Sequence, residues 1–177
     1  DSLVGQTGVP EELYQEFMSD ISDEIDRESK IIDDLLSLVK MDKSNSDQMN
    51  VAQISINSLM EVILKRLRPI ADRRNVEMIF ESIREVNADV DEVKLSLAFN
   101  NLVENAIKYN KEGGWVKVTL DADHKAFFVT VEDSGIGIPE EFQEHIFERF
   151  YRVDKARSRE TGGTGLGLAI TKNVVLM

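Results

Sequence analysis

Cysteine is absent from the 177-residue sequence, which excludes disulfides, thiolate metal sites and a cysteine nucleophile. Histidine occurs only as His124 and His145. They stand too far apart for metal-ligand spacing, so no histidine-built zinc or iron centre is expected. No apolar run is long enough to span a bilayer, and no signal-peptide pattern opens the chain. Basic residues are scarce: 21 Lys and Arg face 33 Asp and Glu, a net charge of −12. The phosphates of nucleic acid or of a membrane surface would be repelled at long range, so neither is an expected partner. What remains is a soluble globular composition, 42% hydrophobic and 31% charged.

The charge is uneven. Residues 1–47 hold 13 acids and 4 bases, while residues 48–177 hold 20 acids and 17 bases. Pro10 followed by Glu11 and Glu12 is a helix-start signal, and neither Gly nor Pro follows until Pro69. Tyr14, Met18, Ile21, Ile25, Glu28, Ile32, Leu35 and Val39 step alternately by four and three, and seven of the eight are apolar. A helix from Glu11 to Met41 would measure about 46 Å. Its seam suits a coiled coil or helical bundle between two copies. The alternative is a helix lying on its own domain's core.

Residues 44–48 read as a polar linker, separating residues 1–43 from a mixed domain at 49–177. There, Asn50–Ile56 and Val76–Phe80 read as strands and Leu59–Ala71 as an amphipathic helix whose end Pro69 leaves open. Asp91–Asn110 reads as a strong helix, and Trp115–Leu120 with Ala126–Glu132 as a hairpin about Asp121–Lys125. A short helix over Pro139–Phe147 and a last helix from about Leu166 complete an α+β pattern, with helices on one face of a mixed sheet.

Three segments carry chemistry. Asn101, Asn105, Lys108 and Tyr109 share one arc of the helix at 91–110, whereas Leu95, Phe99, Leu102, Val103 and Ala106 centre on another. An amide oxygen is a weak Mg²⁺ ligand, so a metal here would arrive with phosphates and water. Lys108 could meet a phosphate and Tyr109 an aromatic base; the stripe also reads as a solvated polar face. Asp133-Ser-Gly135-Ile-Gly137-Ile138-Pro139 follows a strand, where a carboxylate can accept from an exocyclic amine; it reads equally as an ordinary strand-to-helix turn. Gly162-Gly163-Thr164-Gly165-Leu166-Gly167-Leu168 opens the last helix, a place where backbone N–H groups bind anions. It is neither GxxxxGK[ST] nor GxGxxG, so P-loop and Rossmann readings are out. Between them Arg149, Arg152, Lys155, Arg157 and Arg159 face the single acid Asp154, a lid for a polyanion or a solvated loop.

The order NNLVENAIKYN, DSGIGIP, IFERFYRVD and GGTGLGLAI resembles the asparagine, first glycine, phenylalanine and second glycine boxes of sensor histidine kinases. The stretch from Leu35 to Asp42 is similar to the second helix of their dimerisation and phosphotransfer domain. The resemblance covers nearly the whole chain. It implies the GHKL-type α/β sandwich, a mixed sheet layered on three helices and preceded here by a long dimerisation helix. It implies ATP and Mg²⁺, with Asn105 as metal ligand assisted by Asn101, and Asn105, Lys108 and Arg152 as the catalytic set. Tyr109, Asp133, Gly135, Gly137 and Ile138 are implied around the adenine, and Phe147 and Phe150 as lid anchors. Gly163, Thr164, Gly165, Leu166, Gly167 and Leu168 are implied at the phosphates.

The implied activity is ATP-dependent protein-histidine kinase, passing the phosphoryl group on to an aspartate of a response-regulator receiver domain. The implied state is a homodimer through the N-terminal helix, cytoplasmic, with any membrane attachment outside this chain. The chain departs from the family's pattern at both ends. Neither histidine sits in a Ser-His-Glu-x-x-x-Pro-type acceptor motif, and Met177 falls inside the last helix, before the strands that usually follow. A fragment inactive alone is therefore expected. Two alternatives stand beside it: a non-catalytic nucleotide-binding and dimerisation module, and a GHKL ATPase. The ATPases carry a Glu four residues before the metal-binding Asn. This chain has Asn101 there, and an amide is no general base.

Overall fold

The computed structural model describes residues 10–43, 50–153 and 163–176. Residues 1–9, the expected linker at 44–48, and Asp154, Lys155, Arg157, Arg159 and Gly162 lie outside the described residues. Helix α1 (Glu11–Lys43) is a single run of 33 residues, begun where the Pro10 carbonyl accepts from the N–H groups of Leu13 and Tyr14. Tyr14, Met18, Ile21, Ile25, Ile32 and Leu35 are all exposed. At these positions the seam does not lie on the chain's own core; the Val39 side chain lies outside those described.

The rest is two small sheets with helices against them. Strand β1 (Val51–Ser55) pairs antiparallel with β3 (Asn87–Asp91). Strand β2 (Glu77–Ser82) pairs parallel with β4 (Trp115–Ala122), which pairs antiparallel with β5 (Phe127–Asp133). The three-stranded sheet is thus mixed, as expected, and β3 is a strand that the sequence pattern did not reveal. In β4, Val116, Val118 and Leu120 alternate inward and are fully buried. At the hairpin, Asp123 Oδ1 accepts from the N–H groups of Lys125 and Ala126 at 2.7 and 2.8 Å, an Asx-type closure.

Helix α2 (Ile56–Arg73) starts earlier than its apolar pattern suggests, because Ser55 caps it by accepting from Ser58 N–H. It also runs through Pro69. Ile56, Met60, Ile63, Leu64 and Leu67 are buried against the core, and this packing outweighs the lost backbone bond. Helix α3 (Glu92–Lys108) is capped by Asp91 and buries Phe99, Val103, Ala106 and Ile107 in the same core. The helix expected over Pro139–Phe147 is corrected: only α4 (Glu140–Gln143) is α-helical. Beyond it His145 and Glu148 N–H bond the carbonyls three residues back, which tightens the chain into turns. The last helix, α5 (Gly167–Val175), begins one residue past the expected Leu166.

Candidate functional site

Burial of one α3 face in the core turns the opposite arc, with Asn101, Asn105 and Lys108, toward α5 and the glycine-rich loop before it. Leu166 and Ile170 are fully buried there and pack against Leu97. The buried Thr171 hydroxyl donates to the Gly167 carbonyl at 2.9 Å and approaches the Ala98 carbonyl at 3.4 Å. Asn101 Nδ2 also donates to the Gly167 carbonyl, at 3.2 Å. The start of α5 is thereby bonded directly to the amide-bearing face of α3.

The convergence is tightest at Gly163. A β-carbon there would lie 3.3 Å from Lys108 Nζ, 3.3 Å from Arg152 Nη2 and 3.5 Å from the Tyr109 hydroxyl. An ammonium, a guanidinium and a phenol thus meet around one bare backbone position, the arrangement an anion needs. Lys108 makes no salt bridge to a described residue. Burial first, and then the Lys30 ammonium, pull its pKa down to about 8; Glu104 opposes this, while Arg152 and Arg74 add to it. Desolvation, with neighbouring cations adding to it, thus disfavours the charged form of this lysine.

The described start of the basic segment, at Phe150, is joined to this loop by backbone. Phe150 N–H donates to the Gly165 carbonyl at 2.9 Å. Phe150 itself has φ 64°, and Gly165 has φ 73°, with room for a β-carbon only 3.0 Å from the Phe150 backbone. A left-handed phenylalanine is uncommon. Of the two aromatic residues expected as anchors, both are exposed, and the Lys172 ammonium stands 5.9 Å from the Phe147 ring centroid.

A second group forms at the C-terminal end of α3. Asp133 Oδ1 accepts from Gly135 N–H at 2.8 Å, and Ile136 N–H donates to the Tyr109 carbonyl at 3.2 Å. A β-carbon on Gly135 would collide with that carbonyl, so glycine is required. Gly137 takes φ 67°. Asn110, which sequence reasoning missed, stitches these parts together. Its Nδ2 donates to the Ala106 and Trp115 carbonyls, and its Oδ1 accepts from the Ser134 hydroxyl. Its one sequence signal is its place directly after Tyr109.

Of the expected site residues, Asn101, Lys108, Tyr109, Phe150, Arg152, Gly163, Gly165 and Gly167 are thus joined by the contacts above. Thr164 caps Leu166 N–H with its hydroxyl oxygen at 3.2 Å. Asp133, Gly135 and Gly137 stand at the Tyr109 end, with Ile138 exposed beside them. Asn105 lies between the two groups, half-buried, and its amide makes no hydrogen bond to a described side chain. Leu168 is half-buried on α5. Among the described residues no three His, Cys, Asp or Glu approach closely enough to hold a metal ion. The donor set fits a magnesium that comes with its own phosphate oxygens and accepts one amide; it does not fit a resident metal.

Residues 90–177 match the family described as histidine kinase-, DNA gyrase B- and HSP90-like ATPase. The sensor histidine kinase WalK of Bacillus subtilis is 38% identical over 167 residues, covering 93% of this chain and 27% of that protein. The chain thus spans about a quarter of the length of the curated relatives it matches. A mycobacterial sensor histidine kinase, MprB, superposes with a TM-score of 0.60 at 30% identity, over 71% of this chain and 78% of the other. The histidine kinase ThkA, solved in complex with the response regulator protein TrrA, gives 0.68 at 25% identity over 82% and 42%. The four boxes, the mixed sheet packed on helices and these likenesses agree: the chain belongs to the sensor histidine kinase family and carries its ATP-binding catalytic fold.

Proposed function

We propose that this chain binds Mg²⁺-ATP between α3, the Asp133 turn and the glycine-rich loop, as the catalytic part of a two-component sensor histidine kinase. The observation that carries the reading is the meeting of Lys108, Arg152 and Tyr109 at Gly163, one turn from Asn105. Asp133 reads the adenine amino group with the carboxylate oxygen that Gly135 leaves unused. Gly137, Ile138 and the Tyr109 ring border the base, and Gly165, Leu166, Gly167 and Leu168 bring the α5 N-terminus to the phosphates. Asn105, assisted by Asn101, would hold a magnesium ion that would supply charge neutralisation at the phosphates; Lys108 and Arg152 would steer the γ-phosphoryl group. Transfer relies on position and charge rather than on a protein base.

In the longer protein the acceptor is a histidine outside this chain, and the receiver aspartate of a response regulator takes the group next. Residues 1–43 are read as the second part of a dimerising helical hairpin, 44–48 as linker, and 49–177 as the ATP-binding domain. Two copies pair through α1. The domain is read as cytoplasmic; among the described residues no helix is long and apolar enough to cross a membrane. The ATPase alternative is disfavoured by Asn101, whose amide nitrogen is committed to the Gly167 carbonyl and which has no basic group to activate water.

Titrating the 177-residue chain with ATP, with and without magnesium, tests the reading. Asn105→Ala should abolish the magnesium-dependent part of binding while the melting temperature holds; equal binding by both proteins would refute the metal assignment. With a chain that includes the acceptor, labelled ATP should yield an acid-labile phosphoprotein rather than free phosphate.

A further inference from the structure

Two side chains of α1 reach the phosphate end of the site, although the helix lies far away in sequence. Lys30 Nζ donates to Glu104 Oε1 at 2.8 Å. Four residues on, Asp34 Oδ2 accepts from the Thr164 hydroxyl at 2.6 Å. At that spacing the two project from the same side of the helix. Each contact lands on a residue adjacent to one already placed in the nucleotide site: Glu104 precedes Asn105, and Thr164 follows Gly163.

Both contacts act on groups that a phosphate would need. Glu104 stands four residues before Lys108 on α3, the spacing and order at which a carboxylate best captures a lysine. Here Lys30 occupies one oxygen of Glu104 and Asn100 Nδ2 the other, at 3.3 Å. Asn100 is in turn held by Arg66 Nη2 at 2.7 Å. Glu104 makes no salt bridge to Lys108, whose ammonium stands at Gly163. The Thr164 hydroxyl has one proton and gives it to Asp34, so its lone pairs face the Leu166 N–H. Asp34 thus fixes the rotor that shapes the loop at the start of α5.

We infer that Lys30 and Asp34 are positioning residues of the nucleotide site, so that its phosphate end is complete only while α1 is docked on α3 and the glycine-rich loop. This rests on the nucleotide reading above and adds to it that stem position sets phosphate affinity. The group served is the polyphosphate, not the base, because both contacts lie at the Gly163 end and neither touches the Asp133 turn.

Calorimetric titration of the full 177-residue chain with Mg²⁺-ATP and, separately, with adenosine separates these ideas. Wild-type chain that binds neither would refute the nucleotide reading itself. Given wild-type binding, Lys30→Met and Asp34→Asn should each weaken ATP roughly fivefold, the equivalent of about one net hydrogen bond, with adenosine unchanged. Lys30→Arg should keep wild-type affinity. Melting temperatures recorded alongside identify any variant that fails to fold, in which case the swapped pair Lys30→Glu with Glu104→Lys replaces it, and that pair should bind ATP better than Lys30→Glu alone. A folded variant that binds ATP as well as wild type or better, or that loses adenosine to the same degree, overturns the role of the residue it replaces. A swapped pair that binds no better than Lys30→Glu alone overturns the role of Lys30.

Discussion

A half-buried ammonium ion near other cations is a cost that the fold bears for the sake of a ligand. Lys108 has its pKa lowered to about 8, by burial first and by Lys30 next. Because the folded value lies below the ordinary 10.5, the folded chain binds fewer protons between those two pH values, and stability rises with pH across that window. Below pH 8 the penalty is fully present. Lys108→Met should therefore raise the neutral-pH melting temperature by a few degrees while abolishing ATP binding; a melting temperature that falls would contradict this account. Nucleotide affinity has the opposite pH sense. The charged ammonium attracts phosphates below pH 8 and is lost above it, so wild-type ATP affinity should decline as pH rises through that value. Lys108→Arg should flatten the decline, because a guanidinium stays protonated.

At the scale of elements, α3 carries the site and its first turn is held at one residue. Asp91 is buried; its Oδ1 accepts from Lys94 N–H at 3.1 Å, and its Oδ2 from Asn50 N–H at 3.2 Å, just ahead of β1. One carboxylate thus caps α3 and ties it to the two-stranded sheet. Asp91→Ala should cost about 1–2 kcal/mol of stability, read by urea denaturation, and Asp91→Asn less. An unchanged midpoint would show that water replaces both bonds. The same elements show what the sequence could tell. Val116, Val118 and Leu120 announce β4 by strict alternation, and Asn101, Asn105 and Lys108 announce a shared stripe by helical spacing, because both patterns are local. Strand β3 was not legible: Asn87-Ala-Asp-Val-Asp91 is poor in strand formers and owes its form to pairing with β1. Pro69 left the end of α2 open for a related reason, since it is burial of the α2 face that sustains the helix through it to Arg73. The left-handed backbone of Phe150 could not be read either, as no local pattern announces it. Lys30 and Asp34 were still less legible. They meet partners 74 and 130 positions away, and nothing in the α1 pattern sets them apart from its other charges.

For the whole molecule, the question is what covers α1. Leu13, Tyr14, Phe17, Met18, Ile21, Ile25, Ile32, Leu35 and Leu36 are exposed along one helix of about 50 Å. So long an apolar stripe in water favours association. The alternating step of four and three selects helix-on-helix packing, and a second copy supplies an identical stripe. Charge opposes the pairing: residues 1–47 carry 13 acids against 4 bases, so two such segments repel. Apolar burial is insensitive to moderate salt whereas this repulsion is screened. The dimer should therefore tighten as salt is added, the reverse of an interface held by ion pairs. Ile25→Lys with Ile32→Lys should leave a monomer in sedimentation equilibrium with an unchanged melting temperature, since neither residue touches the folded core. Weakening of the wild-type dimer by salt would instead assign the contact to charged faces. A monomer that nonetheless kept full ATP affinity would show that docking of α1 on its own domain does not depend on the second copy.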